Sequence, residues 1–190
     1  MTSTQIFTIG HSNHDAGHFC QLLRMHDIDV LVDVRSWPHS RFVRWADASR
    51  LPELVREAGV KYLFLGKELG GRPEGNEFYD AEGHVLYGRV AAHASFKQAV
   101  ERLERGAEQC RIAIMCSEED PTHCHRRLLV GKVVLEHGLA LSHIRKDGRV
   151  ETEAAPLELS EGTLFEAEES LWRSSLSVSR ARRPRTSSAA

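Results

Sequence analysis

Arg111-Ile112-Ala113-Ile114-Met115-Cys116-Ser117-Glu118-Glu119-Asp120 is a short apolar run that stops abruptly at a thiol followed by acids. A run of this length, apolar on both of its faces, is what a strand needs when helices cover both sides of a parallel sheet. Two further stretches have the same construction. Gln5–Ile9 runs into Gly10-His11-Ser12-Asn13, and Val30–Val34 overlaps Asp33-Val34-Arg35-Ser36. Tyr62–Leu65 and Leu141–Ile144 complete five expected strands. Between them, helical periodicity is expected at Ala16–His26, Leu51–Ala58, Ser95–Gly106 and His125–His137, with Gly59, Gly106 and Gly138 as left-handed C-caps. Alternation of strand and helix specifies an α/β fold built on a mostly parallel, Rossmann-like sheet of about five strands with helices on both faces.

Such sheets bind ligands beyond the carboxyl ends of their strands. Three motifs therefore meet on one rim. In the first, His11 has no capping duty and is a candidate acid–base group or ligand, with Ser12 beside it; capping alone accounts equally well for Ser12, Asn13 and Asp15. In the second, Asp33 and Arg35 are expected to point to different layers, Asp33 toward rim backbone or a basic partner and Arg35 into the crevice as an anion fork. A purely structural Asp–Arg pair is the alternative. The turn Ser36-Trp37-Pro38-His39-Ser40-Arg41 could line a phosphate or carboxylate pocket, with Arg41 and Arg44 adding positive charge.

The third motif, Cys116 to Arg127, is the densest. Three readings stay open. Cys116, facing a helix N-terminus and flanked by Arg126, could be a nucleophile whose thiolate the dipole and the cation favour. Its layout is similar to the cysteine loops of rhodaneses and protein phosphatases, but nine residues separate Cys116 from Arg126 where the phosphatase loop has five. Alternatively Cys116, Cys124 and His125, with His123 and Glu118 near, could hold a metal, although no pair has a zinc knuckle's two-residue gap. Finally, Cys116 could be a small buried apolar residue, with Glu118 paired to Arg126 and Asp120 capping the helix.

Charge narrows the partners. The net charge of -2 conceals five arginines after residue 172, so residues 1–172 carry about −7. Non-specific nucleic-acid binding depends on neutralising phosphates, so it is not supported for the globular part and would need a local pocket or the tail. No apolar run approaches membrane-spanning length and no secretory pattern opens the chain, which makes a cytoplasmic protein the expectation. The four cysteines form no disulfide framework.

Thr8–Asn13, Asp33–Ser40, Gly70-Gly71 after Leu69, and Cys116-x-Glu118 with Cys124-His125-Arg126 together resemble the domain of unknown function 488 family over about residues 5–145. The resemblance implies a small α/β domain of Rossmann-like or related topology, without an established reaction. It marks His11, Asp33, Arg35, Cys116, Glu118, Cys124, His125 and Arg126 as motif positions. The domain is expected to span 1–149. An acidic extension, with a helix near Leu164–Trp172, is expected over 150–172, and a disordered Arg/Ser-rich tail over 173–190. Gly66–Gly88, long and rich in Gly and charge, is expected to be an ordered lid.

The function expected is an enzyme of the hydrolase or transferase kind with a pocket for a phosphate- or nucleotide-bearing substrate. In it Cys116, His11, His125 and Glu118 do the chemistry, and Ser12, Asp33, Arg35, Ser40 and Arg126 bind. A metal enzyme and a non-catalytic binding module are the alternatives, and no cofactor is specified.

Overall fold

The computed structural model describes residues 4–153 and 172–176. Strands β1 (Gln5–Gly10), β2 (Val30–Asp33), β3 (Lys61–Phe64), β4 (Ile112–Cys116), β5 (Ala140–Ile144) and β6 (Val150–Glu153) form one sheet in the order β3-β2-β4-β1-β5-β6. All neighbours are parallel except β5 and β6. The helices are α1 (Ala16–Met25), α2 (Leu51–Glu57), α3 (Gly66–Leu69), α4 (Tyr87–Ala92), α5 (Ala94–Ala107) and α6 (Lys132–Glu136), the last continuing a π-helical segment Arg126–Gly131. Among the described residues no helix is long and apolar enough to cross a membrane.

Strand alternation splits the interior into two cores, since successive side chains leave a strand on opposite faces. Ile6, Ile112 and Ile114 face a cluster with Phe96, Val100 and Leu103 of α5 and Val134 of α6. Phe7, Ile9, Ala113 and Met115 face one with Phe19, Leu22 and Leu23 of α1 and Leu51 and Val55 of α2. Helices therefore cover both faces, as the apolar runs require. Asp15 caps α1 by accepting the His18 N–H at 2.9 Å.

Four expectations change. β6 lies in the segment expected to follow the domain. Its sequence, Val150-Glu151-Thr152-Glu153, lacks an apolar run because it is an exposed antiparallel edge strand. Gly106 lies inside α5, whereas Gly59 and Gly138 do take positive φ. The segment 66–88 is ordered as expected, but it contains α3, a 3₁₀ turn at Asn76–Phe78, a Tyr79–Val85 bridge and the start of α4.

Residues 174–176, expected in the disordered tail, instead form a strap. Arg173 bridges Leu86, and the Ser174 N–H donates to the Val85 carbonyl at 2.9 Å. The Ser174 hydroxyl accepts the Val85 N–H at 2.9 Å, and the Trp172 indole N–H donates to the Leu128 carbonyl at 2.8 Å. Backbone pairing with the lid fixes these residues despite their polar composition. Of the helix expected near Leu164–Trp172, Trp172 is not helical and the rest lies outside the described residues, as does the tail beyond Leu176.

Candidate metal centre and cleft

Register places the motifs together. Gly10 is paired with Cys116 and Asp33 with Met115. Past the strand ends the ladder continues, with His11 N–H to the Cys116 carbonyl at 3.0 Å and Ser12 N–H to that of Ser117 at 2.8 Å. Gly10 has no room for a side chain: a Cβ there would lie 2.5 Å from the Glu118 carbonyl carbon and 2.8 Å from Glu119 Cα. The loop after β4 thus crosses directly over the end of β1.

That loop folds back so that four side chains converge. Cys116 Sγ and Cys124 Sγ lie 3.0 and 3.2 Å from Glu118 Oε2, and 3.6 and 4.0 Å from His125 Nδ1. The other imidazole nitrogen, Nε2, is 3.0 Å from the Val34 carbonyl oxygen, which can only accept. Nε2 therefore carries a proton in either charge state, and whenever the ring is neutral its Nδ1 lone pair faces the sulfurs. Gly71 packs against this ring; a Cβ on it would come within 2.6 Å of His125 Cγ.

The electrostatics separate the thiols. The adjoining Cys124 thiol, burial and Glu118 push Cys116 up, whereas its hydrogen bond with Cys116, His125 and Arg126 draw Cys124 down against burial. Burial pulls His125 down, but Cys124, the Val34 carbonyl and Glu118 outweigh it and the net shift is upward. The surroundings thus oppose a free thiolate at Cys116 and favour one at Cys124.

The cluster floors a cleft of about 250 Å³. Its walls are Arg35, Ser36 and Trp37 after β2, Gly71, Arg72 and Tyr87 from the lid, and Ser174–Leu176 from the strap; Cys116, Glu118, His123, Cys124 and His125 also line it.

Several expected site residues are elsewhere. Arg126 is fully buried: Nη1 donates to the Glu118 carbonyl, Nη2 to that of Glu119 at 2.7 Å, and Nε to Thr8 Oγ1 at 3.2 Å. It fastens the loop and does not line the cleft, since adjacent residues at a helix start point apart and His125 is the one that faces the sulfurs. Asp33 and Arg35 were expected to diverge. Instead Arg35 Nε and Nη2 donate to Asp33 Oδ1 and Oδ2 at 2.9 and 2.6 Å, since residues two apart on a strand share a face. The Tyr62 hydroxyl also donates to Asp33, at 2.9 Å. Ser12 contacts Asn13 at 3.3 Å and the Ser40 hydroxyl accepts the Val43 N–H at 3.0 Å; neither lines the cleft. Arg72, Tyr87 and the strap were missed as site residues, and only the Gly70-Gly71 pair hinted at that wall.

His11 does not line the cleft either. It is buried against Trp45, its Nδ1 meets the Ser12 carbonyl at 2.9 Å, and its Nε2 has no hydrogen-bond partner among the described residues. Burial first, and then Arg35, lower it to about 4. A folded pKa below the unfolded 6.5 means that the unfolded chain takes up the proton first as pH falls. Stability is therefore expected to drop between pH 6.5 and 4 by on the order of 3 kcal/mol, and to be unaffected by this group above pH 6.5. Urea unfolding at pH 7 and pH 5 should show a steeper loss in the wild type than in His11→Asn; parallel losses would refute the assignment.

The family model described as "Domain of unknown function DUF488" matches residues 15–133. The chain belongs to the DUF488 family. The match takes in the whole Cys116–His125 cluster, while β1, β5, β6 and the strap lie outside it in this DUF488 protein. No curated protein matches the chain. Two crystal structures of a Shewanella putrefaciens CN-32 protein named "Putative phosphatase (DUF442)" are similar at 14% and 12% identity, with TM-scores of 0.41 and 0.42. These matches cover 71% and 73% of this chain and 68% and 67% of the other. Likeness at that level carries no functional inference.

Proposed function

We propose that this DUF488 protein is a metal-dependent enzyme whose centre is a zinc-class divalent ion held by Cys116, Cys124 and His125, with Glu118 beside it. The observation that carries this reading is the convergence of the three ligand atoms, all within 4.8 Å of one another, on the floor of a cleft. Ligand bonds of about 2.3 Å to sulfur and 2.0 Å to nitrogen at tetrahedral angles put sulfur and nitrogen about 3.5 Å apart. Cys116, at 3.6 Å, meets that requirement, and Cys124, at 4.0 Å, would have to close by about 0.5 Å. The Val34 carbonyl fixes the His125 tautomer in the way that outer partners of metal-bound imidazoles do. Two thiols and a carboxylate packed together form a site that a cation would complete.

Three protein ligands leave one position for water or substrate, the arrangement of catalytic and not structural zinc. A bound ion would acidify a water or polarise an oxyanion. Glu118 is placed to take up or return a proton beside the centre.

Elemental analysis of untagged protein is expected to find close to one zinc-class ion per chain. That ion should be lost in Cys124→Ser and His125→Ala and kept in Cys20→Ser, whose thiol is buried on α1. Sub-stoichiometric metal would remove the reading. Cobalt substitution tests the open position: the visible spectrum should shift when cyanide is added, and an unchanged spectrum would make the site structural.

A further inference from the structure

We infer that the cleft takes a small molecule combining a flat ring with an oxyanion, the ring against Trp37 and the oxyanion between Arg35 and Arg72. The inference rests on the metal-dependent reading of the cleft floor, to which it adds the class of substrate.

The wall opposite the cluster carries the case. Trp37 is 54% exposed, yet it lines the cleft and makes no ring contact with any described residue. The backbone beside it is anchored: Pro38 follows, and the Pro38 carbonyl accepts the Ala48 N–H at 2.7 Å. A large apolar face that lines a concavity and has no ring partner among the described residues is suited to stacking on a flat ligand.

Two guanidinium groups flank it. Arg35 is 4% exposed and bound to Asp33 through Nε and Nη2, which leaves Nη1 as the edge without a partner. Arg72 forms no ion pair among the described residues, while its backbone N–H is fixed to Ser36 Oγ at 2.9 Å. Arginine forks match the planar oxygens of carboxylate and phosphate. The acidic member of the lining is Glu118, already engaged by the two thiols.

The strap bounds one side. Ser174, Ser175 and Leu176 line a cleft of about 250 Å³, and the strap is tied to the lid through backbone pairs on either side of Arg173. That volume suits a small molecule.

Trp37 fluorescence and calorimetry with phenyl phosphate, benzoate, inorganic phosphate and uncharged benzamide test the assignment, on the protein as purified and after chelation. Phenyl phosphate or benzoate is expected to bind saturably, at least about tenfold more tightly than inorganic phosphate or benzamide. Which of the two binds better identifies the oxyanion. Trp37→Leu should erase the advantage over inorganic phosphate, and Arg72→Gln should weaken every anion about tenfold. Both side chains are exposed, so both variants should fold. Absence of saturable binding, benzamide binding as well as the anions, or affinities indifferent to both substitutions would overturn the inference. Anion binding in a protein that holds no metal would leave the inference standing and remove the metal centre; metal without anion binding would do the reverse.

Discussion

Gly10→Ala is expected to destabilise the protein by about 3 kcal/mol or more, although it adds a single methyl group. The added Cβ would meet the backbone of Glu118 and Glu119, not a side chain that can rotate away. Relief requires moving either the end of β1 or the loop that carries Glu118. Overpacking of this kind ordinarily costs about 1–3 kcal/mol, and the rigid obstacle here places Gly10 at or beyond that upper limit. Against a typical total of about 5–15 kcal/mol, the loss should be obvious in a guanidinium midpoint. Gly17→Ala is the control, since its Cβ would meet Asp15 Oδ1 at 3.3 Å and the helix gains from alanine. That variant should change stability by no more than about 1 kcal/mol. If the two variants unfold alike, the packing argument at Gly10 is wrong. Because the displaced loop also carries Glu118, any folded fraction of Gly10→Ala should bind metal poorly.

Arg126→Leu is expected to cost about 3–5 kcal/mol, since each buried acceptor left without a donor costs about 1–3 kcal/mol and the new apolar side chain offsets part of the sum. Three acceptors lose their donor together: the Glu118 and Glu119 carbonyls and Thr8 Oγ1. Water does not readily replace it, because the guanidinium is fully buried. Arg126→Lys should recover only part of the loss, because one ammonium cannot reproduce the planar fork across two successive carbonyls. Chemical denaturation gives the magnitude, and proteolysis within 116–125 should become faster. An anion-binding arginine would behave differently, losing ligand affinity while keeping stability. That outcome would return Arg126 to the binding role its position beside Cys124 and His125 suggests.

The contrast between Arg126 and His125 shows what a sequence can and cannot carry. Apolar runs specify β1, β2, β4 and β5 because burial on both faces leaves a strong mark, and the polar residues that end them specify the rim. Direction within the rim leaves almost none. Two adjacent residues diverge here, His125 to the sulfurs and Arg126 beneath the loop, as neighbours on any helical turn do, and which of them faces the cleft depends on how the turn is docked. The strand period of two does bear on Asp33 and Arg35, and it puts them together, contrary to the expectation of opposed layers. Spacing says little about the proposed metal ligands: Cys116 ends a strand and Cys124 precedes a helix, so their sulfurs meet through tertiary folding and no knuckle spacing arises. β6 and the strap were illegible for another reason. Each is held by backbone pairing with a neighbour distant in sequence, and its own side chains say little about that neighbour.

Strand order carries a consequence of its own. β1 is flanked by β4 and β5, so Ile6 finds its partners at Ile112 and Leu141. On a ribosome, β1 must wait until β4 has been made before either neighbour exists. Contacts so remote in sequence slow folding and lengthen the time that Ile6, Phe7 and Ile9 stay unburied. The thiols wait as well: Cys116 and Cys124 are made before the Ser174–Leu176 strap, so the nascent chain carries an unfinished cleft until that segment follows.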